Sequence, residues 1–356
     1  MILVVNAGSS SIKIELFDEA DLASVLTGAV SEIGGAGTLK VGDTSQAVTT
    51  SDHADALDIL LTGLEMQGHP VHRLTAAAHR IVHGGEALVA PVRLTPEVLD
   101  QIAACIPLAP LHNPHNLAAI RALSLRVPDL PQYGSFDTAF HATNPEVATA
   151  YALPSEIRAR GIRRYGFHGL SYASMVEWFG QALPDRLLAL HLGNGASLCA
   201  IKAGQSVATS MGYSPLDGLT MGTRTGAIDG MAVLRLAQDY SLDVTSRMLN
   251  RDSGLKALGG TNDMAELLER TDEGAAFAVD HFCYWAARHA GSAIVAMGGL
   301  DAIAFTGGIG ENAARVRARI AEHLRFLGEV PTHIVPADEE RQIARDALRL
   351  MQAQAG

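Results

Sequence analysis

Apolar residues run unbroken over residues 2–5 and stop at Asn6. They resume beyond a small-residue turn as an alternation through Ile12, Lys13, Ile14, Glu15 and Leu16. A continuous apolar run followed by a period of two predicts a buried strand over 2–5 and a half-exposed strand over 11–17, joined through Asn-Ala-Gly-Ser-Ser. The pattern returns at 187–192 (LLALHL), followed by the turn GNGAS at 193–197 and then LCAIKAG. Two strand-turn-strand units, each with Asn and Gly at the turn, predict a duplicated architecture.

A third strand end is expected at 303–305, with a glycine turn at 307–310 and then a helix carrying Val316, Ile320 and Leu324 on one face. Helical spacing over 274–297 places Ala278, Phe282, Trp285 and His289 on a stripe that reads mostly as core. Strands alternating with helices and broken by glycine turns predict an α/β chain. Its 356 residues are long for a single core and suggest two domains. The boundary is placed within 140–154, where SFDTAFH gives way to a Pro-containing segment.

With 48% hydrophobic and 18% charged residues the composition is that of a folded globular protein. A net charge of −11, with no Lys/Arg run, argues against nucleic acid as a partner. An acidic protein that binds an anion must concentrate positive charge in its site, which directs attention to single arginines. Cys105, Cys199 and Cys283 are widely separated in apolar surroundings and read as buried thiols. Strand-like sequence from Met1 onward and the lack of a long uncharged apolar run lead to an expectation of a cytoplasmic protein without a membrane partner.

Backbone N–H groups in a tight Gly/Ser turn converge into an anion cradle, and several such turns in one chain suit a polyphosphate. GSSSIK is not a Walker loop, because the Gly-Lys-Ser/Thr order is missing and a strand follows it. GGIGENA fits the looser dinucleotide pattern through Gly308, Gly310 and Ala313, so a nicotinamide enzyme stays open as an alternative.

Eight stretches in series resemble the acetate kinase family: NAGSSSIK (6–13), HRIVHGG (79–85), PLAPLHNP (107–114), FDTAFH (136–141), RRYGFHG (163–169), HLGNGAS (191–197), SPLDGLTMGTRTG (214–226) and FTGGIGEN (305–312). The resemblance implies a fold of the sugar kinase, heat-shock and actin type. Two similar ribonuclease H-like α/β domains, 1–145 plus 340–356 and 146–339, would flank an interdomain cleft that binds ATP and closes about residue 140. The second would carry most of the nucleotide site and the interface of a homodimer. The implied reaction is reversible transfer of the ATP γ-phosphoryl to acetate or another short carboxylate such as propionate or butyrate. A carboxylate is already ionised at neutral pH and needs no general base, so the demand is for alignment and charge control.

The resemblance assigns transition-state stabilisation to Arg80 and Arg224. Guanidinium forks can grip carboxylate or phosphoryl oxygens, the alternative being structural ion pairs. His168 is matched to a phosphoryl-oxygen donor and would otherwise read as a satisfied core histidine. Asp137 is matched to a group that positions an arginine or the water shell of a metal, against the plainer role of a turn cap. By the same resemblance Ser9, Ser11, Lys13, His191, Gly193, Asn194 and Gly195 face the phosphates. Asp263, Gly308, Ile309, Gly310 and Asn312 complete the ATP/ADP site. Val82, Leu111, Phe167 and Pro215 wall the pocket for the acid's apolar end. Mg2+, with Mn2+ as the alternative ion, would be held by Asn6 and Glu339, with Glu340 the competing ligand.

The chain also departs from the usual pattern. Leu170 and Tyr172 replace Thr and His, and Thr225, Ala227 and Gly230 replace Ser, Asp and Pro. Met264 and Ala265, after the retained Asp263, replace an aromatic residue and an Arg that help to bind adenine. These departures keep a different phosphoryl donor and a non-catalytic ATP-binding switch open as readings.

Overall fold

The computed structural model describes residues 1–355. It divides into two compact units, residues 1–140 with the chain from 338 onward, and residues 141–337. The first unit is built on an eight-stranded sheet: β1 (Ile2–Ala7), β2 (Ser11–Phe17), β3 (Ser24–Ser31), β4 (Ala36–Val41), β5 (Thr44–Thr49), β6 (Ala76–Ile81), β7 (Val92–Arg93) and β8 (Gln132–Phe136). Across the sheet the order is β5-β4-β3-β2-β1-β6-β8-β7. β1 and β2 form the antiparallel hairpin expected from the alternation, with Asn6 opposite Lys13, and β1, β6 and β8 run parallel.

One face of β1 and β2, presenting Leu3, Val5, Ile12 and Ile14, packs on Leu57, Leu60 and Leu61 of the helix His53–Met66 and on Leu123 of the helix Asn113–Arg126. Asp52 starts the first of these helices, accepting hydrogen bonds from the amides of Ala54 and Asp55. Buried Asn116 on the second donates to the Ala7 carbonyl at 2.8 Å and accepts from the Val82 amide at 3.1 Å. It thereby ties the end of β1 to the end of β6. The helix Glu339–Ala355 packs on β1, β6 and β8, and Asp346 accepts a hydrogen bond from Ser135 of β8 at 2.9 Å.

The second unit repeats the scheme on five strands, β9 (Arg186–Leu192), β10 (Ala196–Lys202), β11 (Gln205–Thr209), β12 (Ala302–Thr306) and β13 (Thr332–Ile334), in the order β11-β10-β9-β12-β13. β9 and β10 again form a hairpin, and β12 lies parallel to β9. The 25-residue helix Glu273–Met297 covers β9, β10 and β11. Among the described residues no helix is long and apolar enough to cross a membrane, and Cys105, Cys199 and Cys283 are free thiols, all buried.

One expectation about local structure is corrected, and one is refined. Residues 307–310 are not an open turn, because Gly307–Asn312 is itself a short helix directly after β12. Gly307 alone reverses the chain, at φ +79°, and the Glu311 carboxylate accepts from its amide at 3.1 Å. On the long helix the core stripe is largely alanine: Ala275, Ala278, Ala286 and Ala290 are buried with Phe282, whereas Trp285 and His289 lie at its half-buried edge.

Candidate active site

In the first unit, the candidate residues gather where β1, β2, β6 and β8 meet the N-terminus of the helix Glu339–Ala355. Alternation puts Asn6, Lys13 and Arg80 on the face that looks toward this helix, opposite the face bearing Val5 and His79. Arg80 donates to both carboxylate oxygens of Asp137, from Nε at 3.0 Å and Nη2 at 2.6 Å. Such a fork is the strongest form of side-chain hydrogen bonding. Its remaining Nη1 donates to Asn6 Oδ1 at 3.3 Å, and Glu339 lies 3.9 Å from Nε. Asp137 immediately follows β8 and is 1% exposed, whereas the Arg80 side chain keeps 24% of its surface open. Arg80 therefore retains access to a ligand while anchored.

Glu340 accepts from Asn6 Nδ2 at 3.2 Å, so both Glu339 and Glu340 reach this corner. Burial, with Asp137 and Glu340 adding to it, pushes the Glu339 carboxyl up to about 7 against the pull of Arg80. Burial opposes the charge on Arg80, but Asp137 and Glu339 outweigh it and raise its pKa above the ordinary value. The β1–β2 turn is closed by Gly8 N–H donating to the Ser11 carbonyl at 2.8 Å, which leaves Ser9 exposed and Ser11 half-exposed. Of the expected pocket walls in this unit, Val82 is buried just beyond β6, while Leu111 is 48% exposed ahead of the helix Asn113–Arg126.

In the second unit, the β9–β10 turn is the meeting point. Gly193 donates to the Gly195 carbonyl at 3.1 Å. Around the position of a Cβ on Gly195, the three nearest heavy atoms are Nε2 and Cε1 of His168, at 3.3 and 3.5 Å, and Nη1 of Arg224 at 3.6 Å. The two candidates thus converge on this turn although 56 residues separate them in sequence (224 − 168). His168 occupies the left-handed region, φ +59°, at the start of the helix Gly169–Phe179. Its ring lies against that of His191, centroids 4.3 Å apart, and His191 Nδ1 is bonded to Ser171 Oγ at 2.8 Å. Arg224 is held by the Pro215 carbonyl at 3.2 Å, and burial lowers its pKa from the ordinary value. Phe167, an expected wall residue, is buried, and its carbonyl pairs with His141 Nε2 at 3.0 Å.

Beside this turn lies a cleft of ≈ 520 Å³ lined by Asn194, Asn262, Asp263, Met264, Ile309 and Asn312 among others. Gly193 and Gly308 stand at its edge, and Gly310 is buried in the helix behind. Asp263 caps the helix Met264–Glu269 through the Ala265 amide at 2.8 Å. Met264 is buried and Ala265 exposed at the rim. Sequence reasoning missed Asn262, which donates to Asn194 Oδ1 at 3.2 Å, and also Ser197, which bonds His168. Ser197 lay within a quoted motif, but nothing in spacing marks which serine faces a histidine.

The sequence profile of the acetokinase family matches residues 1–346. An acetate kinase from Rhodopseudomonas palustris is 42% identical over 393 aligned positions, covering 98% of each chain. Among solved structures, a propionate kinase from Francisella tularensis superposes with a TM-score of 0.91 at 34% identity, covering 97% of this chain and 98% of the other. An acetate kinase from Porphyromonas gingivalis gives 0.90 at 33% identity, with 98% and 99% covered.

Proposed function

Because the chain belongs to the acetokinase family, we propose that it transfers the γ-phosphoryl of ATP reversibly to acetate, giving acetyl phosphate and ADP. The observation that carries this reading is the convergence of His168 Nε2 and Arg224 Nη1 on the Gly195 turn. These two groups supply hydrogen-bond donors and positive charge, as a phosphoryl transfer to an already ionised acceptor requires, and the first unit by itself holds the anchored Arg80. Gly308 and Gly310 belong to a short helix at the rim and interior of this region, and family membership replaces the nicotinamide reading.

Hydroxylamine trapping tests the proposal. With Mg-ATP and acetate the protein should yield acetyl hydroxamate in proportion to ADP. ADP without hydroxamate, or neither, would leave only an ATP-binding protein. Running propionate and butyrate in parallel sets the acid preference, since one methylene shifts selectivity by only about 1–3 kcal/mol.

The donor chemistry of the first unit fits a hard divalent cation. Side-chain oxygens of Asn6, Glu339 and Glu340 gather at this corner, where Asn6 Nδ2 donates to Glu340 and Asn6 Oδ1 accepts from Arg80. That suits Mg2+, which keeps most of its water and needs few protein ligands. When bound, the ion would neutralise charge on the β- and γ-phosphates.

Ala265 at the rim of the second unit's cleft offers no side-chain hydrogen bond to a base. A good bidentate contact to a base gives about 1–3 kcal/mol of discrimination. Without one, kcat/KM with GTP should lie within about tenfold of that with ATP, and Ala265→Arg should widen the gap. A native preference for ATP of several hundredfold would show that other residues read the base.

The homodimer has further support in the helix Gly230–Tyr240, which buries no residue and exposes Met231, Leu234 and Tyr240. Sedimentation equilibrium should give twice the chain mass of 37.5 kDa; a monomer at micromolar concentration would remove the dimer from this reading.

A further inference from the structure

We propose that Tyr172 and Ser197 are positioning residues that fix the tautomer of His168, holding its proton on Nε2 where it faces the Gly195 turn. The inference rests on the role given to His168 above. Tyr172 lies one turn beyond His168, on the helix Gly169–Phe179, and Ser197 lies on β10. Both are fully buried. The Tyr172 hydroxyl is 2.5 Å from Ser197 Oγ, which is 2.8 Å from His168 Nδ1.

A serine hydroxyl has one proton to give, so it can donate either to the phenol oxygen or to the imidazole nitrogen. The phenol is the more acidic hydroxyl and the stronger donor, and imidazole nitrogen is the better acceptor. The polarity of the chain follows: Tyr172 O–H donates to Ser197 Oγ, and Ser197 O–H donates to His168 Nδ1. A neutral imidazole accepting at Nδ1 carries its proton at Nε2. That nitrogen lies 3.3 Å from the Cβ position of Gly195, next to Arg224 Nη1, so the proton points where a phosphoryl oxygen would be received. Were the chain reversed, Nε2 would present a lone pair toward an anion. Tyr172 is also a position at which this sequence departs from the pattern it resembles.

Tyr172→Phe deletes the incoming donor and keeps the ring. Ser197 can then accept from Nδ1–H, and the tautomer is no longer fixed. The experiment uses the full-length protein with 15N-labelled histidine, the His168 signals being assigned by their loss in His168→Gln. In the wild type at a pH where the ring is neutral, Nδ1 should show the shift of a bare nitrogen and Nε2 that of a protonated one. In Tyr172→Phe both should move toward averaged values, and kcat should fall about tenfold, the worth of one buried hydrogen bond. KM for ATP and for acetate should stay within about twofold.

Ser197→Ala, a smaller change, should give the same pattern and decides the matter if Tyr172→Phe does not fold. Unchanged nitrogen shifts in either folded variant, or a wild-type spectrum with the proton on Nδ1, would overturn the proposal. Equal losses in kcat and thermal stability with the tautomer intact would overturn it too, reducing Tyr172 to a packing residue. Wild-type kcat in His168→Gln would overturn the catalytic role of His168, a failure separate from the relay, which the nitrogen shifts still decide.

Discussion

Arg80→Ala is expected to lower kcat by about 10^2- to 10^3-fold, the cost of removing one preorganised donor from a developing negative charge. The geometry makes Arg80 a strong candidate for such a donor. Its guanidinium is anchored by Asp137 at 2.6 and 3.0 Å while a quarter of the side chain stays open, so little reorganisation is needed during reaction. Lysine should restore little of the loss, because an ammonium group cannot grip Asp137 through two parallel bonds and still reach a ligand. Removing Arg80 leaves the 1%-exposed Asp137 carboxylate without its partner, and breaking a buried pair costs about 3–5 kcal/mol of stability. The double variant Arg80→Ala/Asp137→Asn removes the stranded charge. It should recover much of the melting temperature and none of the rate. Rate returning with stability would show Arg80 to be a structural ion pair, the alternative that its sequence context left open.

The parts of the molecule legible in the sequence are those where one period decides the outcome. Lys13 and Glu15 against Ile12, Ile14 and Leu16 set the face of β2, and the apolar run at 187–192 sets β9. Where competing signals share a segment, the sequence misleads. Glycines at 307, 308 and 310 look like a turn, but one left-handed residue completes the reversal and Glu311 secures the first helical amide. On the long helix, helical spacing placed Trp285 and His289 on one stripe with Ala278 and Phe282. Close approach to β9 and β10 instead selects alanine for the buried stripe and pushes the large rings to its edge.

The site follows the same division. Arg80 and Asp137, 57 residues apart, are joined by adjacent parallel strands, which no local spacing reveals; only the series of motifs suggested that they belong together. Ser197 lay inside one of those motifs without being singled out, and nothing marked Asn262. Their roles arise from contacts to His168 and Asn194 that depend on where distant elements pack.

Gly226→Ala is expected to be strongly damaging in the second unit, lowering kcat by about 100-fold or more without touching a ligand. Gly226 sits at φ +72°, a region that an alanine enters at a cost of roughly 1–2 kcal/mol. The added Cβ would lie 2.3 Å from the Leu219 carbonyl oxygen, 2.6 Å from its carbon and 2.7 Å from the Gly218 oxygen. All three are backbone atoms, so no flexible side chain can yield. The loop itself must move. That loop is held by Ala227 N–H donating to Gly218 at 2.9 Å and by Met221 N–H donating to the Arg224 carbonyl at 3.2 Å. Any shift that relieves the clash therefore displaces Arg224, two residues away, and a misplacement of about 1 Å costs roughly 100-fold. KM for ATP should change much less, since the cleft around Asn194, Asn262 and Ile309 includes no residue of this loop. Gly230→Ala is the control: its Cβ meets nothing within 4 Å and its backbone is helical, so kcat should be unchanged. If Gly226→Ala folds with a lowered melting temperature and a wild-type kcat, the loop has moved without consequence and Arg224 lies outside the chemistry. If kcat collapses while KM holds, the left-handed glycine is what keeps the guanidinium aimed at the Gly195 turn.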